Sequence, residues 1–406
     1  MSRLKGRALI GQSGGPTAVI NQSLVGVIEA ALAADEITDV VGAENGIQGV
    51  LDGRLVDLGR EDRGELERVA RTPAAALGSV RKKPSQDDCA RIVDALERND
   101  IRYVFYIGGN DSAETAFLLN NAAAARGYEV RLFHVPKTID NDLAAQDHTP
   151  GYGSAARFVA QAMMGVDADN RSLGGVKVDV IMGRHAGWLT AAARLARTVD
   201  GDGPHLIYVP EVAFDIDSFL GRVGACVADY GRCVIAVSEG IHLADGTLVA
   251  EVGASGQREV DSHGNVQLSG TGALGDKLAA WIKEGVPAAK RVRADTYGYL
   301  QRSYFGVVSE QDAREAREVG HVAVRVATSG ERPHGSIAIQ RDLSSGAYRP
   351  RYEVIELEDV AQRTRCMSAD LLLGDCDVSP TFLDYALPLV GELPRPGRLA
   401  RHRFVR

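Results

Sequence analysis

Short apolar runs in this chain repeatedly break off into turns rich in glycine and polar residues. Arg7 to Ile10 leads into GQSGGPTAVINQS, after which Ile20, Leu24, Val27, Ile28 and Ala31 keep helical spacing. Arg102 to Ile107 leads into GGNDSAETA and a helix through Leu118, Leu119 and Ala123. Val130 to Val135 leads into VPKTIDNDL, and Val176 to Met182 into GRHAGWLTAAARLA. Further strands are read over Thr38–Val41, His205–Pro210 and Arg232–Val237, and helices over Leu274–Ile282 and Glu310–Ala327. Strand, tight turn and helix in succession specify an α/β protein with mainly parallel sheets, whose ligands sit beyond the carboxyl ends of the strands. The 45 glycines suit such turns. The chain has 406 residues, enough for two such lobes. No repeat, low-complexity stretch or flexible linker divides it, so interleaved lobes are expected.

The polar turns carry the chemistry. In VPKTIDNDL one cation (Lys137), one hydroxyl (Thr138) and two carboxylates (Asp140, Asp142) fall within six residues. If the segment is extended, alternation sends Thr138, Asp140 and Asp142 to one side, around one reacting atom. The plain alternative is a solvated turn. Gly11 to Ser23 offers backbone N–H groups at a helix start, a site for phosphate, but no Lys-Ser or Lys-Thr follows, so it is not a Walker A loop. ALGSVRKKP reads by default as a solvated basic loop; a phosphate clamp is the minority reading, strengthened if the loop faces Gly14 and Gly15. Asn110 and Asp111 can hold Mg²⁺ directly or through water; equally, Asp111 and Ser112 can cap a helix. Arg184 is a bidentate anion ligand and His185 a hydrogen-bonder at a helix start. Glu239, at a strand's end, is a cap or an acceptor for a substrate hydroxyl. RVRADTYGYLQRS offers Arg293, Tyr299 and Arg302 on an extended segment.

Other readings fall away. GYGSAA has dinucleotide-fingerprint spacing, but HTP before it is no strand. A helix from Ala155, with Met163 and Met164 as core filler, fits better. Leu243 to Gln267 reads as a polar hairpin or excursion. A net charge of −8 argues against a broad nucleic-acid footprint. Five scattered cysteines without CxxC suggest neither zinc nor disulfides. No signal-peptide or membrane-spanning pattern is present, so a reducing cytoplasm is the expected setting.

Taken together, SGGPTAVIN, LGSVRKKP, GGNDS, PKTIDND, MGRHAGWLT, VSEGI and GYLQRS resemble, in order, the signatures of the phosphofructokinase family. The resemblance spans roughly Gly11 to Ser303. It implies two interleaved three-layer lobes with the active site in the cleft between them. Residues 1–150, with a returning segment near 300–350, would form the phosphoryl-donor lobe. Residues 151–299, with part of the C-terminal region, would form the sugar-phosphate lobe. The implied reaction is Mg²⁺-dependent phosphoryl transfer to the 1-hydroxyl of fructose 6-phosphate, reversible and glycolytic. ATP-using members usually have glycine where this chain has Asp111 and Lys137, so the resemblance is to the pyrophosphate-dependent branch. An ATP enzyme, a kinase for another sugar phosphate such as sedoheptulose 7-phosphate, and a non-catalytic sensor are the alternatives.

The resemblance also implies roles. Asp140 would be the general base, Asp142 its support and Thr138 a ligand of the sugar or transferring group. Gly15 and Arg81 would meet the donor; Arg184 and Glu239 the sugar phosphate. Tyr299 and Arg302 would hold the 6-phosphate, and Arg293 would reach in from a neighbouring subunit, implying a homodimer or homotetramer. Departures are Asn110 in place of a metal-associated Asp and Pro16 in place of Asp. A second cross-subunit arginine of the family is missing near Gly175, and its role is either absent or taken over by Lys177. Val25 and Glu29 stand where nucleotide-regulated enzymes carry arginines, so no effector site of that type is expected.

Overall fold

The structure, a computed structural model, describes residues 4–253, 272–342, 344, 346–361 and 363–400. Two sheets organise it. The first contains β1 (Gly6–Gln12), β2 (Ile37–Ala43), β3 (Leu55–Asp57), β4 (Ile101–Gly108), β5 (Arg131–Pro136), β10 (His334–Asp342) and β11 (Arg349–Ile355). Its spatial order is β11-β10-β5-β4-β1-β2-β3. All neighbours pair in parallel except β2 with β3 and β10 with β11. The second is wholly parallel, in the order β7-β8-β6-β9. It is built from β6 (Gly175–Ile181), β7 (Leu206–Tyr208), β8 (Arg232–Ser238) and β9 (Val292–Thr296). Near-continuous burial along β4, β5 and β8 is what a sheet covered on both faces demands.

The first sheet is completed late in sequence. β10 pairs beside β5, with His334 opposite Leu132 and Ser336 opposite His134. The helix before it, Glu310–Ser329, lies against the helix Ile20–Leu32. Two glycines allow that approach. A Cβ on Gly26 would come within 2.2 Å of the Arg317 carbonyl oxygen, and one on Gly320 within 2.6 Å of that of Ser23. Backbone touches backbone there, so no side chain fits. The long helix Tyr152–Leu173 packs on β6 and β8 and against the C-terminal helix Pro380–Val390.

Local readings are refined in several places. Met163 is fully buried, but Met164 is half-buried at the edge of the core. The chain beyond Thr296 is not extended: it turns at Gly298, φ +53°, into the helical turn Leu300–Ser303. The excursion read over Leu243 to Gln267 begins with a His242–Leu248 bridge, and its part from residue 254 lies outside the described residues. Among the described residues no helix is long and apolar enough to cross a membrane.

Candidate active site

The carboxyl ends of β1, β4 and β5 face those of β6 and β8 across a cleft of about 440 Å³. In the first sheet the strand order reverses between β1 and β4, and ligands bind at such a switch point. The turn after β1 brings Gly14 and Gly15, the turn after β4 brings Asn110 and Asp111, and the turn after β5 brings Lys137 to Asp142. From the opposite lobe come Arg184, Glu239, Tyr299 and Arg302.

The half of the cleft built on β1, β4 and β5 is closely tied. The Gly14 N–H donates to the Val80 carbonyl at 3.1 Å, and Ser79 Oγ donates to the Gly14 carbonyl at 2.6 Å. The basic loop therefore does face the glycine turn, and Arg81 and Lys82 line the cleft. Lys137 is 3 % exposed and its Nζ donates to the Gly15 carbonyl at 2.6 Å. Burial and the Arg302 guanidinium pull its ammonium down to about 7, with Asp140 opposing.

The acid loop is not extended. Asn141 sits at φ +57°, between Asp140 and Asp142, and the Asp140 N–H bonds back to Thr138 Oγ1 at 3.1 Å. Thr138, Asp140 and Asp142 nonetheless all line the cleft, because the left-handed residue turns the backbone while its own side chain is buried. Burial raises the Asp140 carboxyl, although Arg302, Lys137 and Arg184 oppose it. Burial, then the Asp140 charge, pushes Asp142 up to about 7. Two acids near each other cannot both ionise freely, which is how an acid–base pair is tuned to neutral pH.

Neither capping alternative holds. The helix carrying Asn110 and Asp111 begins at Asn110, so Gly109 is its cap and Asp111 lies within its first turn. His185 does not start a helix either, since the next one begins at Trp188; His185 instead lines the cleft. Its ring is held below its usual value by burial and by Arg184.

For a metal, Asn110 offers a buried Oδ1 with no partner, while its Nδ2 lies 3.5 Å from Asp142 Oδ2. Asp111, Asp140 and Asp142 do not form a closed carboxylate cage among the described residues. An ion bound there needs oxygens from a ligand or water, which suits Mg²⁺.

The opposite half of the cleft departs from the extended form at Tyr299 and Arg302. Tyr299 and Arg302 lie one helical turn apart, and the guanidinium stacks 4.8 Å over the phenol ring. A Cβ on Gly15 would come within 3.1 Å of Arg302 Cζ, so Arg302 faces both halves of the cleft. Glu239 is buried, and its N–H joins the ends of β6 and β8 by donating to the Ile181 carbonyl at 2.9 Å. Arg293 is outside this cleft: it lies exposed on β9, with Nη1 3.0 Å from the Val292 carbonyl. Lys177 is committed to ion pairs with Asp179, at 3.2 Å, and Asp295.

No local pattern pointed to Arg363 and Thr364, which also line the cleft. They arrive from beyond every polar turn singled out above, and only the folded chain brings them to Leu143, opposite Thr364 in an antiparallel bridge.

A family model described as Phosphofructokinase matches residues 7–327. The pyrophosphate–fructose 6-phosphate 1-phosphotransferase of Rhodospirillum rubrum is 48% identical over 404 residues, covering 99% of this chain and 98% of that protein. The protein of the same name from Halomonas elongata is 36% identical, covering 98% and 97%. The crystal structure of pyrophosphate-dependent phosphofructokinase from Marinobacter aquaeolei superposes with a TM-score of 0.84 at 32% identity, covering 97% of this chain and 94% of that one.

Proposed function

Because the chain belongs to the phosphofructokinase family, we infer that it is a pyrophosphate-dependent 6-phosphofructokinase. It transfers a phosphoryl group from pyrophosphate to the 1-hydroxyl of fructose 6-phosphate, giving fructose 1,6-bisphosphate and phosphate. One observation carries the donor assignment. Lys137, where an ATP enzyme of this family has glycine, is buried in the neck of the cleft and bonded to the Gly15 carbonyl. A compact ammonium suits a small, densely charged donor, and Asp111 beside it would crowd and repel the α-phosphate of a nucleotide. The near-full-length likeness to enzymes named for pyrophosphate supports the same reading.

The chemistry follows from the residues in the cleft. The oxygen of the sugar 1-hydroxyl forms a bond to one phosphorus of the donor, while the bond from that phosphorus to the bridging oxygen breaks. The second phosphate leaves with the electron pair. Asp140 takes the hydroxyl proton and later returns it to solvent, with Asp142 beside it in the cleft as support. Thr138 holds the sugar or the transferring group. Gly15, Arg81 and Lys137 hold the donor. Arg184, Glu239, Tyr299 and Arg302 hold the sugar phosphate, and Arg293 serves the cleft of a neighbouring subunit in a homodimer or homotetramer. The protein supplies position and charge neutralisation and little covalent chemistry. Mg²⁺ would be held by Asp111 and Asn110 with donor oxygens, and would neutralise the donor's charge. Pyrophosphate cleavage is less downhill than that of ATP in this chemistry, so the reaction runs both ways, in cytoplasmic glycolysis.

A sensor without turnover would not need Asp140 and Asp142, and both face the cleft. The test is a donor screen with fructose 6-phosphate and Mg²⁺. Turnover with pyrophosphate and little with ATP is expected; brisk turnover with ATP alone would overturn the donor assignment. Replacing fructose 6-phosphate by sedoheptulose 7-phosphate in the same assay tests the acceptor.

A further inference from the structure

The chain beyond the family match returns to the cleft. Arg363 and Thr364 line it, and residues 364–367 touch both the acid loop and the turn after β6. Thr364 bridges to Leu143, and the Arg365 N–H donates to the Asp142 carbonyl at 2.8 Å. On the other side the Met367 N–H donates to Glu211 Oε1 at 3.0 Å, and the same carboxylate receives the Gly187 N–H at 2.9 Å.

Arg365 is the centre of this strap. Its Nη2 donates to the Asn141 carbonyl at 2.9 Å and to Tyr385 Oη at 3.3 Å. Its guanidinium carbon lies 4.1 Å over the Trp188 ring, and the Trp188 Nε1–H donates to the Arg365 carbonyl at 3.0 Å. Tyr385 completes the lock: its hydroxyl accepts from Asn141 Nδ2 at 2.8 Å and donates to the Asp147 carbonyl at 2.8 Å. Asn141, the left-handed residue that separates the two acids, is thus held by its carbonyl and its side chain at once.

We propose that Arg365 is a positioning residue of the phosphoryl-transfer site, fixing the backbone between Asp140 and Asp142 against the indole of Trp188. This rests on the acid loop having the role proposed above. The residue type matters. A guanidinium keeps its charge at any working pH, and its planar fork can donate to two acceptors while its face rests on an aromatic ring. An ammonium can keep one of those bonds but not the plane. Arg365 would act through geometry, and a misplacement on the order of 1 Å costs about 100-fold in rate.

The test is a pair of variants, Arg365→Met and Arg365→Lys, assayed with whichever donor supports wild-type turnover. The folded fraction of each is measured by circular dichroism. For Arg365→Met we expect kcat to fall about 100-fold, with both KM values within about threefold of wild type. The acidic limb of its kcat–pH profile moves to higher pH, because a positive charge beside the acids is gone. Arg365→Lys falls about 10-fold and keeps the wild-type limb. Emission of Trp188, read in a Trp281→Phe background, reports whether the stack is lost. A folded Arg365→Met with kcat within about threefold of wild type overturns the proposal, whatever its Trp188 emission. If Arg365→Met does not fold, an Arg365→Lys enzyme with undiminished kcat overturns it instead. A wild-type enzyme silent with pyrophosphate but active with ATP would sink the donor assignment and leave the Arg365 comparison intact.

Discussion

The ammonium of Lys137 is hydrogen-bonded to the backbone carbonyl of Gly15 at 2.6 Å, across 122 residues of chain. It ties the end of β5 to the turn after β1 and puts a cationic side chain into the cleft, where we propose the donor binds. At contact distance such a charge is worth about 4 kcal/mol to an anionic donor near a protein surface. Lys137→Gly and Asp111→Gly are therefore expected to lower kcat/KM for pyrophosphate. The lysine change should cost about 100- to 1000-fold. Steady-state assays with pyrophosphate and ATP decide it; an unchanged donor preference in both variants would refute the assignment of these two positions.

The same lysine makes donor binding pH-dependent. Its value in the free enzyme is about 7, so above that pH it must gain a proton to meet the donor. Pyrophosphate affinity should fall as pH rises from about 7 to about 9, with proton uptake seen by calorimetry in buffers of different ionisation enthalpy. The Lys137→Met variant should show less uptake than the wild type above about pH 7, and the two should converge below about pH 6.

Asp140→Asn keeps the shape of the loop and removes the base. General-base catalysis contributes about 100- to 10,000-fold, and kcat should drop by that much with little change in KM. Single-turnover phosphoryl transfer checks this; full turnover in the variant would remove Asp140 from the role.

His148 is buried between two carboxylates, its Nδ1 2.7 Å from Asp147 Oδ2 and its Nε2 2.6 Å from Glu315 Oε2. Arg341 and Tyr348 face the same cluster. Burial lowers its value, but Glu315 and Asp147 outweigh this and raise it to about 9, against 6.5 for an unperturbed imidazole. The sign is that of a raised group: stabilisation is complete below pH 6.5 and is lost as pH climbs through 9. The amount is on the order of 3 kcal/mol. Urea unfolding from about pH 6 to about pH 10 should show the decline, and His148→Gln should flatten it.

Gly26→Ala should destabilise the enzyme by about 2 kcal/mol, since the new methyl meets the Arg317 carbonyl of the facing helix. Gly165→Ala is the control, because a Cβ there meets nothing within 4 Å. It should be neutral or stabilising by up to about 1 kcal/mol through helix propensity. Denaturant midpoints measure both; equal effects would refute the close-approach argument.

How far the sequence could be read depended on the range of the forces involved. Strands β1, β2 and β4 to β8, and the turns after β1, β4, β5 and β6, are written locally, in apolar runs that stop at polar residues, whereas β3, β9, β10 and β11 carry no such run. The convergence of Lys137, Asp140, Asp142 and Arg184 followed from strand-end geometry. Alternation failed at Asn141 and again at Gly298, since each takes a positive φ that turns the chain out of the extended form. Tyr299 and Arg302 consequently pair along a helical turn. Asp111 and Ser112 looked like caps, but Gly109 holds that position. Arg365 had no local signal at all: its partners are Asn141, Trp188 and Tyr385, and only the tertiary fold makes them neighbours.

The late entry of β10 beside β5 bears on how the enzyme is made. All strands of the second sheet lie between residues 175 and 296, so they leave the ribosome before β10 exists. Until then β5 is the open margin of a half-built sheet, and the acid loop hangs from it. A nascent chain can assemble its second sheet while its first still waits for the last strands. Competence then arrives only near the end of translation, and stalled or prematurely terminated products would expose an unpaired β5 to other chains.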